Sequence, residues 1–248
     1  MLFQVIRKEI KVLFASYIGW GMLAMFALVM GVLYTQSLSE YMQVMLGHVP
    51  TVEQIGLTKY IGANLFGTAS LIMLVFIPLL SMRLLAEEQK NLTMAFMLSA
   101  PISLGEIVLG KFLSLIGFLM LMLVYLVLII CILNLWTDMD FGYIFANVLG
   151  LALLVSSFSA ISLFISSLTR QPILAATLSF LALILCLFLD QLFEQQPNTI
   201  WVQLSMMQRY KSFAVGLLNT ADIAFYLLVS GAFIFFTIRT LEHQRVFG

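Results

Sequence analysis

Six long stretches of this sequence contain no Asp, Glu, Lys or Arg. They cover residues 12–39, 60–82, 112–137, 141–169, 171–189 and 223–238. A charged side chain near the centre of a bilayer is costly, and a helix needs about 20 mainly apolar residues to span the hydrocarbon core, with roughly 17 as the lower limit. The pattern therefore predicts an all-α integral membrane protein with six transmembrane helices.

The overall composition agrees with membrane embedding. Of the 248 residues, 62% are hydrophobic and only 10% are charged, whereas roughly a quarter of an ordinary soluble domain is charged. The 12 basic and 12 acidic residues cancel, so nothing indicates a nucleic-acid partner. Cys131 and Cys186 lie in apolar runs without a nearby His or second thiol, and neither a disulfide framework nor a metal site is predicted.

The basic residues orient the predicted spans, which we place at residues 18–39, 60–82, 107–137, 141–169, 172–189 and 222–240. Nine of the twelve lie on the side that holds both ends of the chain: Arg7, Lys8, Lys11, Arg83, Lys90, Lys111, Arg170, Arg239 and Arg245. The positive-inside rule then predicts a multi-pass protein of the bacterial inner membrane with both termini cytoplasmic. No loop is long enough for a soluble domain, so any soluble machinery must be another polypeptide.

The amino-terminal segment, residues 1–17, predicts an amphipathic helix at the membrane interface. Its polar face carries Gln4, Arg7, Lys8 and Lys11, and its apolar face carries Leu2, Ile6, Ile10, Leu13 and Tyr17. Glu9 falls on the apolar side, where an unpaired acid is costly. We therefore expect Glu9 to be paired or to lie near a helix end.

The cytoplasmic loop at residues 83–105 has two interpretations. It is rich in charge, yet Leu92, Phe96 and Leu98 could share one face of a short helix. It is either a solvated connector on the headgroups or a docking helix for a cytoplasmic partner. Ser103 and Glu106 predict a capping box at the start of the following helix.

Two further segments have structural interpretations. Ser156, Ser159, Ser162 and Ser166 share one face of the fourth span, which favours close helix packing, with a polar lining for a substrate path as the alternative. Residues 190–221 are apolar but too interrupted to span twice. They predict short re-entrant outer helices, with Trp201 and Tyr210 in the aromatic belt.

Several activities lack the residues that they need. No charged residue or His lies near the middle of a span, so no ion-coupling site is predicted. The sequence has no H-E-x-x-H, G-x-S-x-G or P-loop pattern. We predict that the chain has no catalytic residue and is not an enzyme, and that the energy for any transport comes from elsewhere.

Three segments resemble the signature of ABC-2 type permeases: residues 76–88, residues 98–101 and residues 106–112. Arg7-Lys8-Glu9 with Tyr17 is similar to the first helix of that family, and residues 213–222 and 239–242 are similar to its last segment. The likeness covers nearly the whole chain. It is nearest to the branch of gliding-motility-associated and nitrous-oxide-reductase-maturation permeases.

The resemblance implies a type V ABC exporter-like architecture. Residues 1–17 would be an elbow helix that includes Arg7, Lys8 and Glu9, residues 83–105 a coupling helix, and residues 190–221 the re-entrant region. The resemblance also implies a homodimer with a second permease copy and two cytoplasmic ABC ATPase subunits. ATP and Mg would be bound by those subunits, and no cofactor by this chain.

The residues implied to couple to the ATPase are Arg83, Glu87, Glu88, Gln89, Lys90, Leu92 and Thr93. Many family members have Gly-Thr where this chain has Asn91-Leu92-Thr93. Gly110 and Lys111 would lie at the mouth of the third span. The expected function is a permease subunit of an exporter driven by a separate ATPase. The alternative is a non-transporting scaffold or mechanotransmission subunit that recruits an assembly, and no substrate-binding residue is predicted.

Overall fold

The computed structural model describes residues 2–45, 56–91, 103–132, 140–193 and 205–247. All regular secondary structure in these ranges is α-helical, so the predicted all-α class is confirmed. The helices are α1 Leu2–Ala15, α2 Tyr17–Met45, α3 Leu57–Leu84, α4 Ala86–Lys90, α5 Leu104–Cys131, α6 Phe141–Leu168, α7 Pro172–Phe193, α8 Met206–Ala214 and α9 Thr220–Phe247. The predictions for Leu92, Thr93, Phe96, Leu98 and Trp201 lie outside the described residues.

Five helical segments in the described part of the chain are long and apolar enough to cross a membrane. They are Tyr17–Val44, Leu57–Lys90, Leu104–Cys131, Phe141–Leu168 and Thr220–Arg245. The apolar part of α7, Pro172–Leu187, is shorter. A helix of 28 residues such as α5 is about 42 Å long, more than the roughly 30 Å of a hydrocarbon core. Lys111 and Arg239, which bound two of the charge-free stretches, lie within continuing helices.

Helix α6 is the centre of the bundle. It contacts α3, α5, α7, α8 and α9, and its apolar residues, such as Leu151 and Phe158, are buried. A helix that is apolar on all sides is typical of such a central position. Ser103 and Glu106 form the predicted capping box at the start of α5, so that prediction is confirmed.

The bundle has two chemically different ends. At one end α1, α4, the start of α5 and the last turns of α6 and α9 meet, and we call this the basic end because it collects the nine basic residues named above. At the opposite end Arg209 of α8 pairs with Asp222 of α9 at 2.7 Å. Tyr226 of α9 donates a hydrogen bond of 2.6 Å to the Met206 carbonyl of α8.

Helix α1 buries a face that is shifted from the predicted apolar face but shares Leu13 and Glu9 with that side. Its buried residues are Val5, Glu9 and Leu13, whereas Ile6 and Ile10 are only half-buried. Tyr17 belongs to α2 and is 95% exposed. The reason is that α1 packs against α5, so protein contact rather than lipid sets which face is covered.

The serine stripe of α6 lies in helix interfaces. The Ser157 hydroxyl donates to the Tyr226 carbonyl of α9 at 3.1 Å, and the Ser166 hydroxyl donates to the Ser81 carbonyl of α3 at 3.0 Å. Ser159 and Ser162 are fully buried. These contacts favour the packing interpretation over a substrate path.

Tyr210 is also buried, with 3% of its surface exposed. The predicted place of this side chain in the aromatic belt is therefore wrong. Helix α8 packs closely against α6, which covers the ring with protein instead of exposing it to the interface.

Candidate functional site

Four charged side chains from three helices meet at the basic end. They are Lys8 and Glu9 of α1, Glu88 of α4 and Lys111 of α5, and we call them the ionic cluster. The Lys111 Nζ atom lies 2.7 Å from Glu88 Oε2 and 3.0 Å from Glu9 Oε1. The Lys8 Nζ atom lies 3.2 Å from one oxygen of each carboxylate. The cluster has two positive and two negative charges and joins α1, α4 and α5.

Lys111 is fully buried, while Lys8 is half exposed. A buried ammonium is tolerated only when carboxylates replace its hydration shell, and Glu9 and Glu88 both do so. For Lys8, partial burial by itself lowers the pKa, but the two carboxylates together outweigh it and raise the pKa above its usual value. Lys8 therefore stays protonated at neutral pH.

A glycine brings α1 and α5 close enough for the cluster to form. A Cβ atom added at Gly110 would lie 2.7 Å from Val5 Cγ1 and 3.0 Å from Val5 Cβ. Only a residue without a side chain fits there. Gly110 precedes Lys111, so the same turn of α5 provides the close approach and the buried cation.

The junction between α3 and α4 is held against the bend that joins α1 and α2. The Arg83 guanidinium donates to the hydroxyl of Ser16 in that bend, and its Nε lies 3.7 Å from Glu87 Oε2. The Glu87 side chain is 44% exposed. A cavity of about 430 Å³ opens between α1 and this junction, and Val12, Arg83, Glu87 and Asn91 are among its lining residues.

Helix α4 is also fixed to α6 and α9. The Gln89 side-chain amide donates to the Ser167 carbonyl and to Gln244 Oε1, both at 3.1 Å, and the Gln244 amide donates to the same carbonyl. The Ala86 backbone N–H donates to the Ser166 hydroxyl at 3.1 Å. The five residues of α4 are thus bonded to four other helices.

The residues predicted to couple to an ATPase have different surroundings. Arg83, Glu87 and Lys90 are wholly or partly exposed, whereas Glu88 and Gln89 make the internal contacts described above. Leu92 and Thr93 lie outside the described residues. Of the elbow residues, Arg7 is exposed.

The prediction that Glu9 is paired is confirmed, and its partners are Lys111 and Lys8. Sequence reasoning placed Lys111 at the mouth of a span but did not assign it a partner. The feature of the sequence that indicated a basic partner was Glu9, an acid on the apolar face of α1. Among the described residues, no group of three His, Cys, Asp or Glu side chains could hold a metal ion.

The sequence matches the family described as "ABC-2 family transporter protein" over residues 3–230. No match to an individually curated protein was found.

Proposed function

The chain belongs to the ABC-2 family of transporter proteins, and we propose that it is the permease subunit of an exporter in which α4 passes the movement of a separate ATPase to the membrane helices. Membership of the family makes the chain a membrane permease that works with an ABC ATPase. The direction of transport and the role of α4 go beyond family membership and are our proposal.

The observation that carries the proposal is the set of bonds made by α4. Glu88 bonds to Lys111 of α5 and Lys8 of α1, and Gln89 bonds to the ends of α6 and α9. A displacement of this short helix must move those helices or break buried polar contacts, which costs several kcal/mol for a buried charge. Movement of α4 would therefore be passed to α1 and α5 through Glu88 and to α6 and α9 through Gln89.

The surface that we assign to the ATPase lies beside these internal bonds. Arg83 and Glu87 line the 430 Å³ cavity, Lys90 is exposed on the same short helix as Glu87, and Leu92 and Thr93 would extend the contact. Glu88 and Gln89 then act as transmitting residues within the permease rather than as contacts.

The remaining architecture follows from the same proposal. Helix α7 would be the fifth of six spans, α1 the elbow helix, and α8 part of the re-entrant outer region. The basic end would face the cytoplasm of a bacterial cell, because nine of the twelve basic residues lie there.

We further propose a homodimer of permeases with two ATPase subunits that bind ATP and Mg, and no cofactor on this chain. The branch of gliding-motility-associated and nitrous-oxide-reductase-maturation permeases is the proposed subfamily.

The docking role is tested with Glu87→Arg, which reverses an exposed charge and leaves the ionic cluster intact. We expect about tenfold weaker copurification of the ATPase, because a like charge would replace an attractive contact at the interface. Glu242→Arg is the matched control: its side chain is also 44% exposed and also forms an ion pair with an arginine nearby on its helix. If Glu87→Arg retains the ATPase as well as the control does, the docking surface is wrong.

Glu88→Arg is not suitable for that test, because it would place a third cation beside Lys8 and Lys111 and disturb folding. The scaffold alternative needs a separate measurement. If the complex functions normally with an ATPase that cannot hydrolyse ATP, the chain recruits an assembly and does not transport.

A further inference from the structure

A second groove at the basic end lies between the last turns of α6 and α9. It has a volume of about 490 Å³ and is lined by Phe164 of α6 and by Phe236, Arg239, Thr240, His243 and Gln244 of α9. Its size is within the range of pockets that bind small molecules. Neither the ionic cluster nor the proposed ATPase surface includes these residues, apart from the bond between Gln244 and Gln89.

One side of the groove is aromatic. The Phe164 ring lies 5.7 Å from the Phe233 ring and 6.0 Å from the Phe236 ring, between centroids. Phe236 is 49% exposed. This side therefore presents a rigid apolar surface on the outside of the bundle.

The other side is cationic and polar. The Arg239 side chain is 67% exposed, and its Nη1 atom lies 3.0 Å from Glu242 Oε2. Exposed ion pairs of this kind are weak, and a guanidinium has five N–H donors. Arg239 can therefore bind a second anion on this side of the groove.

The position of the groove along α9 matches the boundary of a bilayer. Asp222 and Arg239 bound the charge-free segment of residues 223–238, and 17 residues of helix separate them by about 26 Å. A hydrocarbon core is roughly 30 Å thick. Arg239 thus lies at the level of the headgroups, and Phe233 and Phe236 lie at the level of the acyl chains.

We propose that this groove binds an anionic phospholipid of the surrounding bilayer. The phosphate contacts Arg239, and an acyl chain lies against the rings of Phe164 and Phe236. Basic pockets between membrane helices are a recurrent site for anionic headgroups. A second copy of this chain is the alternative occupant, and the test below separates it from a lipid.

The test measures lipid binding to the purified permease, together with any subunits that copurify, by native mass spectrometry with phosphatidylglycerol or phosphatidylcholine. We expect the wild-type protein to retain phosphatidylglycerol preferentially. Arg239→Gln should weaken that binding about fivefold, the contribution of one basic residue near a headgroup. Arg239→Lys should keep most of it.

Arg245→Gln is the control, because Arg245 is exposed on the same helix and does not line the groove. Equal losses in Arg239→Gln and Arg245→Gln would mean general surface attraction and would overturn the proposal. So would unchanged binding in Arg239→Gln, or a change in the number of permease copies instead of in bound lipid. No ATPase is needed for this measurement, so its outcome is independent of the proposed function.

Discussion

Lys111 is the residue on which the basic end depends. Its ammonium is fully buried, and burial of an ion pair is favourable only with good geometry and further hydrogen bonds. Two carboxylates lie against the Lys111 ammonium: it donates a hydrogen bond to Glu9 at 3.0 Å, and Glu88 lies 2.7 Å away as an ion-pair partner. A hydrophobic residue could fill the same space, but it could not connect three helices through directional contacts.

Lys111→Met should destabilise the protein by about 3–5 kcal/mol, because Glu9 and Glu88 would lose their buried counter-charge. Lys8→Met is the matched control: it removes the same charge from the same two carboxylates, but its side chain is half exposed, and we expect a loss of at most about 1 kcal/mol. The stability losses of both variants are measured by thermal unfolding in detergent, with size-exclusion chromatography as the readout of folded protein. Equal losses would contradict a special role for the buried lysine.

At the residue scale, the sequence shows that a buried acid needs a partner but not which residue the partner is. Helical periodicity placed Glu9 on the wrong side of an amphipathic helix, which predicted a partner. Periodicity gives the face of a residue and not what lies opposite, and Lys111 is 102 positions away. For the same reason the sequence did not predict that Tyr210 is covered by α6.

At the scale of the helices, α1 and α5 approach each other closely at Gly110. Gly110→Ala should destabilise this contact by about 1–3 kcal/mol, because the new methyl group would overlap the stiff Val5 side chain and separate the helices. Gly117→Ala on the same helix meets nothing within 4 Å, and we expect it to stabilise α5 by about 0.5–1 kcal/mol. Thermal unfolding in detergent distinguishes the two substitutions.

The double variant Val5→Ala with Gly110→Ala completes that experiment. Removal of the Val5 methyl groups makes room for the added Cβ, so part of the stability should return. If Val5→Ala instead adds its own loss to that of Gly110→Ala, the clash is not the cause.

The helices themselves were largely predictable, because a charge-free window of sufficient length has few alternatives in a membrane protein. Their ends were not. Arg83 and Arg239 end two of the charge-free stretches, yet α3 and α9 continue through them, since long charged side chains can extend to the headgroups from within a helix. The buried face of α1 was predicted in part: Leu13 and Glu9 are buried as expected, but the sequence does not show that α5 also covers Val5.

For the whole molecule, the main prediction is its orientation in the membrane, with both termini in the cytoplasm. In a variant with Cys131 and Cys186 replaced by alanine, a cysteine at Lys59 should react with a membrane-impermeant maleimide in intact spheroplasts, because Lys59 is exposed at the opposite end. A cysteine at Glu242, at the basic end, should react only after lysis. The reverse pattern would contradict cytoplasmic termini.

The class of the molecule could be predicted from the sequence, while the connections of α4 could not. Composition and charge-free windows fix membrane embedding, and the residues near positions 76–88 and 106–112 carry the family resemblance. Neither indicates that Glu88 and Gln89 are bonded inside the protein while Glu87 is exposed. Adjacent residues on one short helix differ in surroundings because four other helices pack around it.

The distance in sequence between Glu9 and Lys111 also affects how the protein is made. The ribosome synthesises Lys111 102 residues after Glu9, so the ionic cluster cannot close while the first two long helices leave the translocon. Until then the half-exposed Lys8 is the only member of the cluster that can neutralise Glu9, and a carboxylate with so little shielding is costly in lipid. We therefore expect α1 to stay at the membrane surface until α5 is inserted, so that its docking onto α5 completes the amino-terminal half.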